Sequence, residues 1–308
     1  MSNSHSPTII DRIHTTFFGD RVRHTTERVI LWMAIIGYLG HLLLIYLHLW
    51  DALPFSLQDE NLLNDPLKAI YTPFSFILIY EVYLLVYYLQ RSFTTSVILQ
   101  YMIIALIVIR RLFKDISELK LSENWFDYEY DRLFTFDLIG FILLFFGIFL
   151  FGYLARKRPR RKEIPESLRK FIFFKKGVAV LLAPILLYLS LSSLGHWIYE
   201  LYVYNSGQVD VISDINKVFY EDFFMLLILV DVLILIVSLF YLKNYTLLIR
   251  NSGFVVSTVL IRLSFSATGI INIALIVVGV YFGVIVLWIY NRIFFDRMKS
   301  ENNAQVPY

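Results

Sequence analysis

The chain of 308 residues contains no cysteine, and this absence excludes several kinds of site at once. Without thiols there is no disulfide framework, no thiolate metal ligand and no cysteine nucleophile. Charged residues are scarce as well: they make up 17% of the chain, whereas about a quarter of the residues in a soluble domain are charged. Hydrophobic residues make up 58%. This composition predicts an integral membrane protein rather than a soluble domain.

Familiar catalytic motifs are missing too. The sequence has no G-x-S-x-G, no H-E-x-x-H and no glycine-rich phosphate loop. His41 and His48 lie seven residues apart on one helical face, and no third ligand of matching depth accompanies them. We therefore expect no enzymatic activity, no metal site and no cofactor.

Long apolar runs dominate what is present. A helix that crosses a bilayer needs about 20 mostly apolar residues. Eight runs are interpreted as spans, although the seventh is short and interrupted by polar residues: Val29–Trp50, Ile70–Leu89, Thr95–Phe113, Phe134–Leu154, Val178–Tyr199, Tyr220–Leu242, Phe254–Ala267 and Ile270–Tyr290. The first run is too long for a signal peptide, and no cleavage motif follows it. The predicted fold is an all-α integral membrane protein with eight transmembrane helices.

The segments that connect these runs alternate in charge. Basic residues collect in the N-terminal segment 1–28, at Arg91, in the linker 155–177, from Lys243 to Arg250 and in the tail from Arg292. Acidic residues are frequent in the alternate segments 51–69, 114–133 and 200–217. Cytoplasmic loops carry an excess of Lys and Arg, so both termini and the linker are predicted to be cytoplasmic. We expect a multi-pass protein of the cell (inner) membrane.

The linker holds the densest basic cluster, which includes Arg156, Lys157, Arg158, Arg160, Arg161 and Lys162. A cluster immediately cytoplasmic of two spans is typical of a topology determinant that also contacts anionic lipid. Neither aromatic residues nor glycines accompany it in the patterns that nucleic-acid or phosphate sites use. The expected partner is a bilayer with anionic lipids at its cytoplasmic face, and not nucleic acid. Assembly into a homo-oligomer is left open.

Two neighbouring predicted spans contain charged residues. Glu81 lies inside the second run, and Arg110 and Arg111 lie near the end of the third. A charge at bilayer depth costs a few kcal/mol or more unless it faces protein, water or a partner. Carboxylate and guanidinium are natural partners, so we predict that Glu81 faces the bundle interior within reach of an arginine. Asp137, at the depth of the two arginines, is a second candidate partner.

These charges have two interpretations. One is a relay of protons or ions through His41, Glu81 and the arginines. The other is structural pairing that holds helices together. A voltage sensor is not favoured, because its gating charges are regularly spaced, whereas Arg110 and Arg111 are adjacent and point apart.

The second half of the chain repeats several sequence features of the first. Leu39-Gly40-His41 reappears as Leu194-Gly195-His196, and Glu81 has a counterpart in Asp231. The acid and an arginine are 30 residues apart from Glu81 to Arg111 and 31 apart from Asp231 to Arg262. We therefore predict two tandem four-helix halves in parallel orientation. The predicted segments are 1–28, the half 29–154, the linker 155–177, the half 178–292 and the tail 293–308.

The segment from Glu81 to Arg111, with its aromatic run, polar turn and terminal arginine, resembles the phosphate-starvation-inducible PsiE family. His41, near the end of the first span, fits the same pattern. The resemblance covers roughly 29–154, and more faintly 178–290. It implies a four-span inner-membrane fold and expression under phosphate starvation, and it implies no particular activity.

Two functions from different classes follow from these observations. The first is a small ion or proton transporter or channel that uses buried acid–arginine pairs. The second is a non-transporting, stress-related membrane protein with structural polar pairs and outer loops that bind partners. The candidate intramembrane polar site comprises His41, Glu81, Arg110, Arg111, Asp137, His196, Asp231 and Arg262.

Overall fold

The structure is a computed structural model that describes residues 15–50, 65–116, 126–157, 166–205, 215–241 and 244–304. Within these ranges it is helical and contains no strand. The long helices are α1 (Asp20–Leu49), α2 (Tyr71–Leu89), α3 (Phe93–Ile116), α4 (Glu129–Arg156), α5 (Glu166–Asn205), α6 (Ile215–Tyr241), α7 (Tyr245–Ser264) and α8 (Ile270–Ala304). A short 3₁₀ helix, Pro66–Ile70, leads into α2. The prediction of an all-α chain is confirmed for the described residues.

Seven helical segments in this part of the chain are long and apolar enough to cross a membrane. They are Asp20–Leu49, Pro66–Leu89, Phe93–Phe113, Asp131–Arg156, Phe223–Tyr241, Tyr245–Ser264 and Ile270–Asp296. Seven of the eight predicted spans therefore coincide with an apolar helix. The remaining one, Val178–Tyr199, lies within α5, whose side chains are only partly described.

The seventh span begins earlier than predicted. The predicted loop from Lys243 to Arg250 and the predicted helix start at Phe254 are wrong, because α7 begins at Tyr245. Asn244 is the reason: its side-chain oxygen accepts hydrogen bonds from the backbone N–H groups of Thr246 (3.0 Å) and Leu247 (3.4 Å). An asparagine that satisfies these first N–H groups stabilises a helix start. The earlier start gives the span its 20 residues.

The chain forms two compact units, with boundaries that fall inside α2, α3 and α4. Unit 1 comprises Met1–Tyr87 and Met102–Phe141, and unit 2 comprises Tyr88–Tyr101 and Ile142–Tyr308. The division into the halves 29–154 and 178–292 stays a prediction.

In unit 1, α1 packs against α2 through a small residue. A side chain at Gly37 would have its Cβ 2.8 Å from the ring of Phe76, so glycine allows the two helices to approach closely. The polar start of α1 joins the same packing, because the Tyr87 hydroxyl donates a hydrogen bond to Asp20 and the Arg23 guanidinium lies over the Tyr87 ring. Residues 20–28, predicted as part of an N-terminal segment, are thus the beginning of the helix that contains the first apolar run.

In unit 2, α7 and α8 form a close hairpin. Gly269 turns the chain with a φ of 62°, a conformation that favours glycine. Further along α8, Gly279 and Gly283 face α7, where Ser257 Oγ donates a hydrogen bond of 2.7 Å to the carbonyl of Gly279. Two glycines four residues apart are typical of closely packed membrane helices. Tyr101 of α3 also hydrogen-bonds to Ser257, so a third helix contributes to the contact between α7 and α8.

Candidate intramembrane polar site

Glu81 is buried in unit 1 and forms an ion pair with Arg110. Its side chain is 1% exposed, and Arg110 Nη1 lies 3.0 Å from Glu81 Oε2. The same nitrogen donates a hydrogen bond of 3.1 Å to the carbonyl of Phe74. Arg110 can contact both groups because Glu81 lies two turns after Phe74 on α2 and its side chain leans back toward the N-terminus of that helix. The predicted pairing of Glu81 with an arginine is present, and the arginine is Arg110.

Arg111 pairs with Asp137. Arg111 Nε lies 2.6 Å from Asp137 Oδ2, and Nη2 donates a hydrogen bond of 2.9 Å to Oδ1. Adjacent helical residues point about 100° apart, so the two arginines reach different carboxylates. Unit 1 thus contains two separate acid–arginine pairs. Glu81 and its true partner are 29 residues apart in sequence, against 31 for Asp231 and Arg262.

His41 lies in unit 1 close to the start of α2, whereas the turn to α3 follows the other end of that helix. Its Nδ1 is 2.6 Å from the hydroxyl oxygen of Thr72, in the first turn of α2. Glu81 is nine residues further along that helix, or about 13 Å at 1.5 Å per residue. The relay interpretation in which His41 and Glu81 act together therefore needs an intermediate group between them.

Asp231 and Arg262 form the corresponding pair in unit 2. Arg262 Nη1 lies 2.7 Å from Asp231 Oδ2, and both side chains are less than a tenth exposed. Thr258 donates a hydrogen bond of 3.0 Å to the same carboxylate oxygen. Thr258 and Arg262 are four residues apart on α7 and therefore project from one face of the helix. The predicted pairing of Asp231 with Arg262 is present.

Two further polar residues complete this group. Arg262 Nη2 donates a hydrogen bond of 3.0 Å to Gln100 Oε1, and Gln100 Nε2 donates one of 3.1 Å to Ser96 Oγ. We call Ser96, Gln100, Asp231, Thr258 and Arg262 the Asp231 cluster. Gln100 and Ser96 were missed in the sequence, although a glutamine inside an apolar run was a usable signal. Their partner Arg262 is 162 residues away from Gln100, so no local pattern connects them.

A small cavity adjoins this cluster. Its volume is about 20 Å³, and its polar lining consists of Ser96, Gln100, Lys175, Asp231 and Thr258. The remaining lining is apolar, from residues such as Phe93, Ile234 and Phe254. A cavity of this size holds about one water molecule. The carboxylate of Asp231 is therefore paired with Arg262 and also borders a cavity with a partly polar lining.

Lys175 was interpreted in the sequence only as one of the basic residues of the linker. The structure buries it in α5, where Nζ donates a hydrogen bond of 2.6 Å to the carbonyl of Arg91 and lies 5.0 Å from the centre of the Phe93 ring. Among the described residues no carboxylate forms an ion pair with it within 4.0 Å. Burial lowers the pKa of the Lys175 ammonium to about 8, and the negative charge of Asp231 opposes that shift. Lys175 precedes the predicted span that begins at Val178.

The remaining predicted residues lie at the edge of what the structure describes. Arg156 and Lys157 are exposed at the end of α4, where Arg156 bonds the carbonyl of Gly152 and Lys157 lies over the Tyr153 ring. Lipid contact there stays a prediction. The other lipid-contact residues, Arg158, Arg160, Arg161 and Lys162, lie outside the described residues, as does the side chain of His196. Within the described residues, no group of three His, Cys, Asp or Glu side chains is arranged to hold a metal.

Comparisons with protein-family models, with curated proteins and with solved structures find no match to this chain.

Proposed function

We propose that this chain moves protons or small ions across a membrane and that the Asp231 cluster is the site at which the ion binds. The apolar helices make the chain compatible with a polytopic membrane protein. An ionisable residue within a span is a functional-site candidate, because burial of its charge is costly. Asp231 meets that description and also borders a polar cavity. That cavity is the observation that carries the proposal.

The proposed topology has eight spans with both termini in the cytoplasm of a cell (inner) membrane. In this proposal α5 supplies the eighth span: its 40 residues extend for about 60 Å, twice what a bilayer core requires. The tandem four-helix halves, the PsiE-like fold of 29–154 and contact with anionic lipid belong to the same proposal. The asymmetry in loop charge supports the orientation.

A non-transporting membrane protein is the second candidate. It is favoured by unit 1, where Glu81–Arg110 and Arg111–Asp137 are direct ion pairs of the kind that hold helices together. The two functions are compatible with one molecule if the pairs in unit 1 are structural and the cluster in unit 2 is the ion site.

Ion flux in vesicles tests the proposal. The purified chain is reconstituted into liposomes, proton, Na⁺, K⁺ and Cl⁻ gradients are applied in turn, and an enclosed indicator dye for each ion reports its flux. We expect a flux that is lost in Asp231→Asn and retained in the double variant Glu81→Gln, Arg110→Gln. If no gradient drives flux through the unmodified protein, the non-transporting function is favoured instead.

A further inference from the structure

Lys175 and Asp231 line the same cavity but do not touch. Among the described residues, Asp231 forms an ion pair within 4.0 Å with Arg262 and not with Lys175. The two hydrogen bonds to Asp231 both reach Oδ2, which leaves Oδ1 without a donor among the described residues. Lys175 uses one of its three N–H groups on the carbonyl of Arg91. Each residue thus has hydrogen-bonding capacity left.

The charges at the cavity decide what can occupy it. Lys175 places a positive charge at the lining, and Asp231 places a negative charge there. A cation would meet the ammonium and an anion would meet the carboxylate, so either ion is repelled by one group. A neutral dipole that accepts from the ammonium and donates to the carboxylate satisfies both. Water does this, and the volume of about 20 Å³ suits one molecule.

We propose that a buried water in this cavity bridges Lys175 and Asp231, and that the two residues exchange a proton through it. This inference rests on the proposed function and names the proton as the ion. In the transfer, a Lys175 N–H bond breaks as the water gains that proton, and an O–H bond of the water breaks as Asp231 Oδ1 gains one. The ammonium becomes an amine, the carboxylate becomes a neutral acid and the water is regenerated.

The surroundings of Lys175 support this role. Its ammonium lies against the α2–α3 turn, which the charge pattern assigns to the cytoplasmic side. Among the described residues, the charged groups that line the cavity are Lys175 from α5 and Asp231 from α6, and the polar residues from α3 are the neutral Ser96 and Gln100. Arg262 from α7 pairs with Asp231 and does not line the cavity. Lys175 is therefore placed to connect the cytoplasmic end of the bundle to the Asp231 cluster.

The first test needs no transport activity. Thermal unfolding of the full chain in detergent is measured from pH 7 to pH 10.5. Between about pH 8 and the ordinary lysine value of 10.5, the folded chain has lost a proton that the unfolded chain still binds, so the melting temperature should rise with pH. Lys175→Met should abolish this rise. Asp231→Asn should shift its onset to lower pH, because the attraction that holds the proton on Lys175 is lost.

Lys176→Met is the matched control, since Lys176 is one residue further along α5 and does not line the cavity. It should leave the pH-dependent rise unchanged. If Lys175→Met retains the rise, or if Asp231→Asn does not move its onset, the link between the two residues is overturned. Should Asp231→Asn not fold, Ser96→Leu replaces it: this change fills the cavity, keeps both charges and should lower the onset by removing the bridge.

Proton flux in vesicles then separates this inference from the proposed function. Lys175→Met and Ser96→Leu should each reduce flux about a hundredfold, a usual contribution of a positioned proton-transfer group. Lys176→Met, at a residue outside the cavity, should retain it. Flux that is lost in Asp231→Asn but unchanged in Lys175→Met overturns the Lys175 route and leaves the proposed function intact. If no variant and no unmodified protein shows flux, but the melting temperature rises with pH as expected and Asp231→Asn shifts its onset, the proposed function is refuted and the link between Lys175 and Asp231 is retained.

Discussion

The pairing of Glu81 with Arg110, rather than with its neighbour Arg111, is a sharp prediction of the structure. In Glu81→Gln, the guanidinium of Arg110 stays in a site where its side chain is 13% exposed and loses the carboxylate 3.0 Å away. Removal of one member of a buried pair costs about 3–5 kcal/mol, because the remaining charge is uncompensated. Glu81→Gln should therefore lower the free energy of unfolding by about that amount.

The double variants distinguish the two arginines. Arg110→Gln in the Glu81→Gln background removes the uncompensated charge, so part of the lost stability should return and the two effects should be strongly non-additive. Arg111→Gln is the matched control, because it breaks the separate pair with Asp137 and should add its own cost to that of Glu81→Gln. Equilibrium unfolding in mixed micelles measures the free energy of unfolding of the unmodified chain, of the three single variants and of the two double variants. Additive effects of Glu81→Gln and Arg110→Gln would refute the pairing.

Two further predictions concern packing and topology. Gly283→Ala places a methyl group against the buried hydroxyl of Tyr101 and should destabilise the chain by about 1–3 kcal/mol. Gly40→Ala is the control: its methyl group meets nothing within 4 Å, so the change should be neutral or stabilising by up to about 1 kcal/mol. Melting temperatures in detergent measure both variants, and equal losses of stability would contradict the close contact in unit 2. Because the chain has no cysteine, Asn64→Cys and Ser167→Cys each provide a single thiol for labelling. A membrane-impermeant thiol reagent should label intact cells that carry Asn64→Cys and not those that carry Ser167→Cys. Labelling of Ser167→Cys alone would show that the orientation is the reverse of the predicted one.

The cost of burying charge made part of the site predictable. Glu81, Asp231 and Arg262 stand in apolar runs, and the rule that such residues find partners led directly to the acid–arginine pairs. The choice between Arg110 and Arg111 was not predictable, because it depends on the rotation of α3 about its axis. Apolar length identified seven helices, whereas the start of α7 depended on a single capping side chain at Asn244.

The cavity could not be predicted from the sequence for a different reason. Its polar lining comes from α3, α5, α6 and α7, and the residues that these helices contribute are spread from Ser96 to Thr258 and meet only in the folded unit 2. Lys175 illustrates the difficulty, because a basic residue at the end of a basic linker gives no local sign that it is buried. Only three-dimensional packing distinguishes it from Lys176.

The most direct measurement compares stability and proton flux in the same preparations of Asp231→Asn and of the double variant Asp231→Asn, Arg262→Gln. The single variant leaves Arg262 buried without its carboxylate, so both stability and flux should fall. In the double variant, stability should partly recover while flux stays absent, because the group that carries the proton is still missing. Recovery of flux together with stability would show that Asp231 only holds the helices together, and would contradict its role as the ion site.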